Sequence, residues 1–231
     1  MSQVLLVRHG QASWGSDDYD VLSDLGERQS RMLGEALAAR GVVPDLVVRG
    51  ARRRHRQTAE QAVAGAGWAA DVVVDDGWNE FDHVQMLAMH PPAYGEGEEL
   101  TREQFQAWFE EATLRWTGGA YDEDYDESFT AFGTRVDAAL RRTVERLEPK
   151  QTAVVLTSGG PVSWVAASLL AGGADLWTQL NPVTVNSSVT KIVVGRRGAT
   201  LVSFNDHSHL EAAGGGHITY REEPLACARR P

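Results

Sequence analysis

The feature that most constrains this chain is a repeated exchange between two hydrophobic periods. Short apolar runs at 3–7, 45–48, 71–74 and 153–156 each stop abruptly at polar or glycine residues. Runs of four or five such residues read as strands buried on both faces. Three of them lead into segments of helical spacing. Leu25, Met32, Leu33, Ala36 and Leu37 share one face, with Ser23 as N-cap, Glu27 early in the helix and Gly41 beyond its end. Residues 53–63 and 162–170 supply the next two helices. Two closing strands, 186–194 and 200–204, meet at an Arg196-Arg197-Gly198 turn. Strand and helix in alternation predict an α/β fold with a mostly parallel sheet. A length of 231 residues fits one domain over 1–231.

Residues 81–150 interrupt the rhythm. His90-Pro91-Pro92 and Gly95 to Gly97 punctuate a loop, and Phe105, Trp108, Phe109, Ala112 and Trp116 then form a helical stripe. A second helix over about 128–147 carries Phe129, Phe132, Val136, Ala139, Leu140, Val144 and Leu147 on one side. The segment reads as a helical insertion that caps a pocket, or as two helices that complete the core; the seven tryptophans are packing residues before they are recognition residues.

Charge and composition exclude several classes. A net charge of −10 repels a phosphate backbone, so no nucleic-acid partner is expected. No apolar run approaches the about 20 residues of a membrane span, so no membrane partner is expected either. The first residues show no basic and apolar leader, and Cys227 is the one cysteine. A cytoplasmic location is the expectation. Positive charge is nevertheless concentrated at Arg49, Arg52, Arg53, Arg54 and Arg56, while Asp122, Glu123, Asp124, Asp126 and Glu127 read as a solvated loop or helix start.

Open α/β sheets bind ligands beyond the carboxyl ends of their strands. Here those ends read Arg8-His9-Gly10, the arginine cluster, Asn79-Glu80-Phe81-Asp82-His83, and Thr157-Ser158-Gly159-Gly160. A histidine, forked cations, a carboxylate and a glycine turn entering a helix suit a dianionic phosphoryl group.

These residues also carry a resemblance. Arg8-His9-Gly10 after an N-terminal strand resembles the signature of the histidine phosphatase superfamily, with its phosphoglycerate-mutase-like fold. Gln11-Ala12-Ser13 and Tyr19-Asp20-x-Leu22-Ser23-x-x-Gly26-x-x-Gln29 continue the likeness. Arg54-His55-Arg56-Gln57-Thr58-Ala59 is similar to a second motif that typically reads R-A-x-Q-T-A. Glu80 falls where the family keeps its acidic proton donor, and Asn186-Ser187-Ser188-Val189 resembles its late asparagine strand. The resemblance implies a three-layer α/β/α fold in which His9 is the nucleophile, Arg8 and Arg54 clamp the phosphoryl oxygens, and Glu80 is the acid and base. Ser158 and Gly159 would add phosphate contacts. It implies no metal and no cofactor, because the arginines provide the charge. The activity implied is a metal-independent phosphomonoesterase for a small phosphorylated metabolite, working through phosphohistidine. A phosphomutase and a weakly active phospho-ligand binding protein are the alternatives.

The sequence departs from the family pattern twice. The family's second histidine stands in an S-H-G-G turn that here reads Thr157-Ser158-Gly159-Gly160, which puts Ser158 at the histidine position. His83 and His209 are the candidates to replace it, and Ser158→His is expected to raise turnover in an otherwise intact site. Gly15 stands where the family often has a phosphate-touching asparagine. His207, His209 and His217 are too loosely spaced, with no cysteine beside them, to make a metal site. Oligomeric state is left open.

Overall fold

A computed structural model describes residues 1–13, 20–92 and 100–220. Trp14, Gly15, Tyr19, the glycines at 95–97 and Cys227 lie outside the described residues. Six strands form one sheet: β1 (Ser2–Arg8), β2 (Leu46–Arg49), β3 (Val72–Val74), β4 (Thr152–Thr157), β5 (Val189–Gly195) and β6 (Gly198–Asp206). Their order is β3-β2-β4-β1-β5-β6. The pairings β3–β2, β2–β4 and β4–β1 are parallel, and β5 is antiparallel to both β1 and β6. Among the described residues eight α-helices accompany them: α1 (Asp24–Ala39), α2 (Arg53–Ala66), α3 (His83–Ala88), α4 (Arg102–Thr117), α5 (Phe129–Glu145), α6 (Gly159–Leu169), α7 (Gly173–Leu180) and α8 (Ser208–Glu211). This is the mixed α/β architecture, with a mostly parallel central sheet, that the pattern predicts.

Alternation along the central strands divides the core in two. Leu5, Val7, Val47, Val154 and Leu156 face one way and pack with Leu33 and Leu37 of α1 and Ala59 and Ala62 of α2. Val4, Leu6, Val48, Ala153 and Val155 face the other way and meet α4, α5, α6 and α7. Both faces of the inner strands are therefore covered, which is why they read as continuous apolar runs. The aromatic stripe of α4 and α5 lies in the second cluster. Phe81 stacks on Trp116 at 4.7 Å between centroids, and Trp177 meets Phe129 edge-on at 5.2 Å.

Three local features differ from the sequence expectation. β5 starts at Val189, not Asn186, because Ser187 takes φ +60° and the chain turns before pairing. α6 starts at Gly159 rather than Val162, so both glycines belong to its first turn. Two short helices had no periodic signal long enough to register. α3 is started by Asp82, whose Oδ1 accepts from the Val84 and Gln85 N–H groups, and α7 has eight residues.

Candidate active site

The topology alone selects one sheet edge. The helix following β1 goes to one face and the helix following β4 to the other, although the two strands are parallel neighbours. A crevice opens at such a reversal, beyond the carboxyl ends of the strands. Arg8 and His9 leave β1 there, and Ser158 and Gly159 leave β4. The amino end of β5, running antiparallel, brings the 184–188 turn to the same edge.

Gly10 makes the turn after β1 possible. A Cβ on it would stand 2.2 Å from the Gly26 carbonyl oxygen, and one on Gly26 would stand 2.0 Å from the Gln11 carbonyl oxygen. The two glycines let α1 press directly onto the loop. Polar motif residues then lock it. Gln29 Oε1 accepts from Gln11 N–H at 2.8 Å, and Gln57 Oε1 accepts from Leu22 N–H at 2.9 Å. Thr58 Oγ1 accepts from Gly10 N–H at 3.1 Å while donating to the Arg54 carbonyl. Asn186 Nδ2 donates to the His9 carbonyl at 3.1 Å, and Ser187 N–H donates to the Arg8 carbonyl at 3.0 Å.

His9 is buried, and its Nδ1 donates to the Gly10 carbonyl at 2.7 Å. A carbonyl can only accept, so the proton sits on Nδ1 and Nε2 keeps its lone pair. Burial, reinforced by Arg54, Arg8 and His55, holds the ring well below the usual histidine range. The imidazole is therefore neutral at pH 7. Arg8 extends to the Thr184 carbonyl and lies against Gly159, where a Cβ would come within 3.6 Å of its Nε. Of the five clustered arginines in the 49–56 stretch, Arg54 alone is buried; its Nη1 donates to Asp20 Oδ1 at 2.9 Å. Arg56 lies on the surface beside Glu60.

Glu80 enters from the loop after β3. Its Oε2 accepts from Gly160 N–H and its Oε1 from Phe81 N–H, both at 3.2 Å. Burial of the carboxyl raises its pKa, against opposing pulls from the Gly160 bond, Arg54, Arg8 and the Phe81 bond. Gly160 allows this approach, since a Cβ there would stand 2.1 Å from Oε1. The loop is braced twice. Phe81 is wedged among Trp116, Phe132 and Trp177, and Arg135 Nη1 donates to the Gly77 and Asn79 carbonyls while Glu127 grips the guanidinium at 2.6 and 2.7 Å. Part of the acidic 122–127 stretch thus serves the Glu80 loop. Two arginines, a neutral imidazole with a lone pair on Nε2 and a carboxyl whose pKa burial raises therefore occupy one edge. This set can bind a phosphoryl dianion, attack phosphorus and protonate a leaving oxygen.

The family model of the histidine phosphatase superfamily (branch 1) matches residues 4–207. The chain belongs to that superfamily. No curated protein matches the sequence. Similar solved structures include a phosphoserine phosphatase variant from Entamoeba histolytica in complex with phosphoserine, 18% identical, with a TM-score of 0.67 and 91% of this chain and 100% of that chain covered. A mycobacterial glucosyl-3-phosphoglycerate phosphatase is 24% identical, with a TM-score of 0.63 and coverage of 88% and 98%. A Bacillus stearothermophilus protein, YhfR, is 21% identical, with a TM-score of 0.66 and coverage of 90% and 99%. At these identities the structures speak for the fold, and the family match supports a phosphatase.

In this histidine phosphatase a second buried imidazole stands beside His9, at a residue that the motif reading did not single out. His55 is fully buried in α2, its ring 5.7 Å from that of His9, and its Nε2 lies 2.7 Å from Ser158 Oγ. Neither His83 nor His209 stands there. His83 opens α3, and His209 lies on α8, where burial and Arg40 lower its pKa to about 4. The signal that could have found it lies in the motifs of the resemblance, where His55 falls on the alanine of R-A-x-Q-T-A and Ser158 on the histidine of S-H-G-G. Asp20, which anchors Arg54, was also missed as a partner. His207 Nδ1 donates to the Asn205 carbonyl and His217 Nδ1 faces the Gly214 carbonyl at 3.3 Å. Among the described residues no three His, Cys, Asp or Glu side chains converge as a metal site would require. No helix among them is long and apolar enough to cross a membrane.

Proposed function

We propose that this chain hydrolyses a small phosphorylated metabolite through a phosphohistidine on His9, with arginines in place of a metal. The supporting observation is the Nδ1–Gly10 bond, which leaves the Nε2 lone pair of a neutral, buried imidazole beside Arg8 and Arg54. Nε2 attacks phosphorus as the ester P–O bond breaks, and protonated Glu80 passes its proton to the departing alkoxide. Arg8 and Arg54 balance the charge spread over the equatorial oxygens. Glu80, now a carboxylate, takes a proton from water as the water oxygen bonds to phosphorus and the P–N bond breaks. His9 returns neutral and inorganic phosphate leaves.

The raised pKa of Glu80 fits the first half of this cycle and its reach into the same edge fits the second. Helices α3 to α5 carry the Glu80 loop and form the wall on that side, which gives the 81–150 segment its place in choosing the rest of the substrate. Similar proteins act on phosphoserine and on glucosyl-3-phosphoglycerate. Both are alkyl phosphates with a carboxylate, and that class is the first to assay here.

The decisive experiment is rapid-quench labelling with a radiolabelled phosphate ester in the presence of EDTA. The wild type should form an acid-labile, alkali-stable phosphoprotein mapping to His9 and release phosphate, and His9→Ala should do neither. Turnover retained by His9→Ala, or abolished by EDTA, would overturn the proposal. Phosphoryl exchange between substrates with little free phosphate would favour the mutase, and phosphate binding without labelling would favour a binding protein.

A further inference from the structure

We infer that His55 is a positioning residue that turns the Ser158 hydroxyl toward the phosphoryl group, so that the pair supplies a neutral hydrogen-bond donor in the pocket. The inference rests on phosphoryl transfer at His9 and concerns how that transfer is assisted.

Ser158 occupies the N-cap position of α6, with extended φ −118° and ψ 172°, where a serine ordinarily accepts from an N–H of the first turn. It makes no such bond. Glu80 takes the Gly160 N–H instead, and Ser158 Oγ is left to His55 Nε2 at 2.7 Å. Room for the ring is made on its far side, where a Cβ on Gly50 would fall 2.2 Å from His55 Nδ1. The ring is fully buried, and among the described residues Nδ1 has no hydrogen-bond partner.

That orphan nitrogen places the proton. A buried N–H without an acceptor is rarer and costlier than a buried lone pair without a donor. The neutral ring therefore carries its hydrogen on Nε2 and donates it to Ser158 Oγ. Neutrality follows from burial and from the neighbouring Arg54, Arg52 and Arg49, which hold His55 well below the usual histidine range. The hydroxyl hydrogen of Ser158 is then not used by His55, and no other hydrogen bond among the described residues uses it. Its neighbours fix where it is useful. Gly159, the next residue, lies against Arg8; Gly160 holds Glu80; and the His9 ring is 5.7 Å from that of His55. Ser158 is fully buried, so a phosphoryl oxygen seated between Arg8 and the first turn of α6 must displace its cover to reach this hydroxyl, which the His55 bond polarises.

The expectation that Ser158→His alone raises turnover is accordingly reversed: a ring at 158 would enter space held by the His55 ring.

The test compares His55→Ala, Ser158→Ala and the double variant in full-length protein, with thermal melting as the control for folding. Each single change should lower kcat about 10²-fold, as loss of one transition-state donor does, while KM for an alkyl phosphate stays within about threefold. Vanadate, which mimics the transition state, should bind about 10²-fold more weakly to each. The double variant should be no worse than either single, because both remove the same donor. Moving the imidazole, His55→Ala with Ser158→His, should recover turnover to within about tenfold of wild type. Losses that add in the double variant, or Ser158→Ala with full kcat and full vanadate affinity, would overturn the inference. In that event a phosphoprotein still formed on His9 would leave the proposed function standing. Should His55→Ala fail to fold, Ser158→Ala alone decides by the same readouts.

Discussion

Gly160→Ala separates the placement of Glu80 from the stability of the fold. The added Cβ would meet Glu80 Oε1 at 2.1 Å and Phe81 Cδ1 at 3.0 Å. Ordinary contact needs about 3.4 Å, so the carboxyl must retreat by roughly 1.3 Å, whereas Phe81 need give only a few tenths of an ångström. The obstructing group is the tip of a side chain, and the backbone keeps its course. The fold loses one hydrogen bond, the Gly160 N–H to Oε2 of the protonated carboxyl, worth about 0.5–1.5 kcal/mol. It gains up to about 1 kcal/mol of helix propensity. A net change within about 1 kcal/mol corresponds to a shift of no more than about 2–4 °C in Tm for a domain of this size. Catalysis should suffer more. A misplacement of about 1 Å can cost ~10²-fold in rate, or about 2.7 kcal/mol of barrier. The loss should appear in kcat/KM for phosphoserine, whose alkoxide needs a proton, and should be under about tenfold for p-nitrophenyl phosphate, whose phenolate needs little help. Equal losses on both substrates, or unchanged kcat/KM on phosphoserine, would refute the assignment of Glu80 as the acid held by Gly160.

Three further outcomes are expected. Gly10→Ala sets a Cβ 2.2 Å from a backbone oxygen that cannot swing aside, so chemical denaturation should show a loss of about 3 kcal/mol or no folded protein. Arg135→Ala removes the grip on the Gly77 and Asn79 carbonyls; stability should fall by about 2 kcal/mol together with kcat, and Arg135→Lys should recover little because a lysine cannot bridge Glu127 and the loop at once. His9 and His55 both have folded pKa values below their unfolded ones, so the unfolded chain takes up their protons first as pH falls. Stability should decline from about pH 6.5 downward with a slope approaching about 1.4 kcal/mol per pH unit for each ring, and urea titrations of His9→Gln at pH 7, 6 and 5 should show one ring's share removed.

Much of this molecule could be read from the chain itself. β1, β2 and β4 are buried on both faces, so their apolar runs announce them without ambiguity, and Ser23, Glu27 and Gly41 mark α1 at both ends. The glycines of Arg8-His9-Gly10 and of Leu22-Ser23-x-x-Gly26 are local demands for close backbone approach, and such demands leave a local trace. Arg8, His9, Arg54, Glu80, Ser158 and Gly159 could be named for the same reason: each stands at or just beyond a strand end, and strand ends are visible. Distance between side chains has no such trace. That Arg54 among five arginines turns inward depends on Asp20, thirty-four residues away. Glu80 has its raised pKa because its carboxyl is buried, and it reaches that place because Phe81 is wedged among aromatics from α4, α5 and α7 and Gly160 leaves room for it. His55 looked like one more polar residue in a basic stretch, and only the packing of α2 against the end of β4 brings it to Ser158, 103 residues further on. Periodicity and close backbone approach are properties of neighbours in the chain. Proton position and charge balance belong to neighbours in space, and the sheet order alone decides who those are.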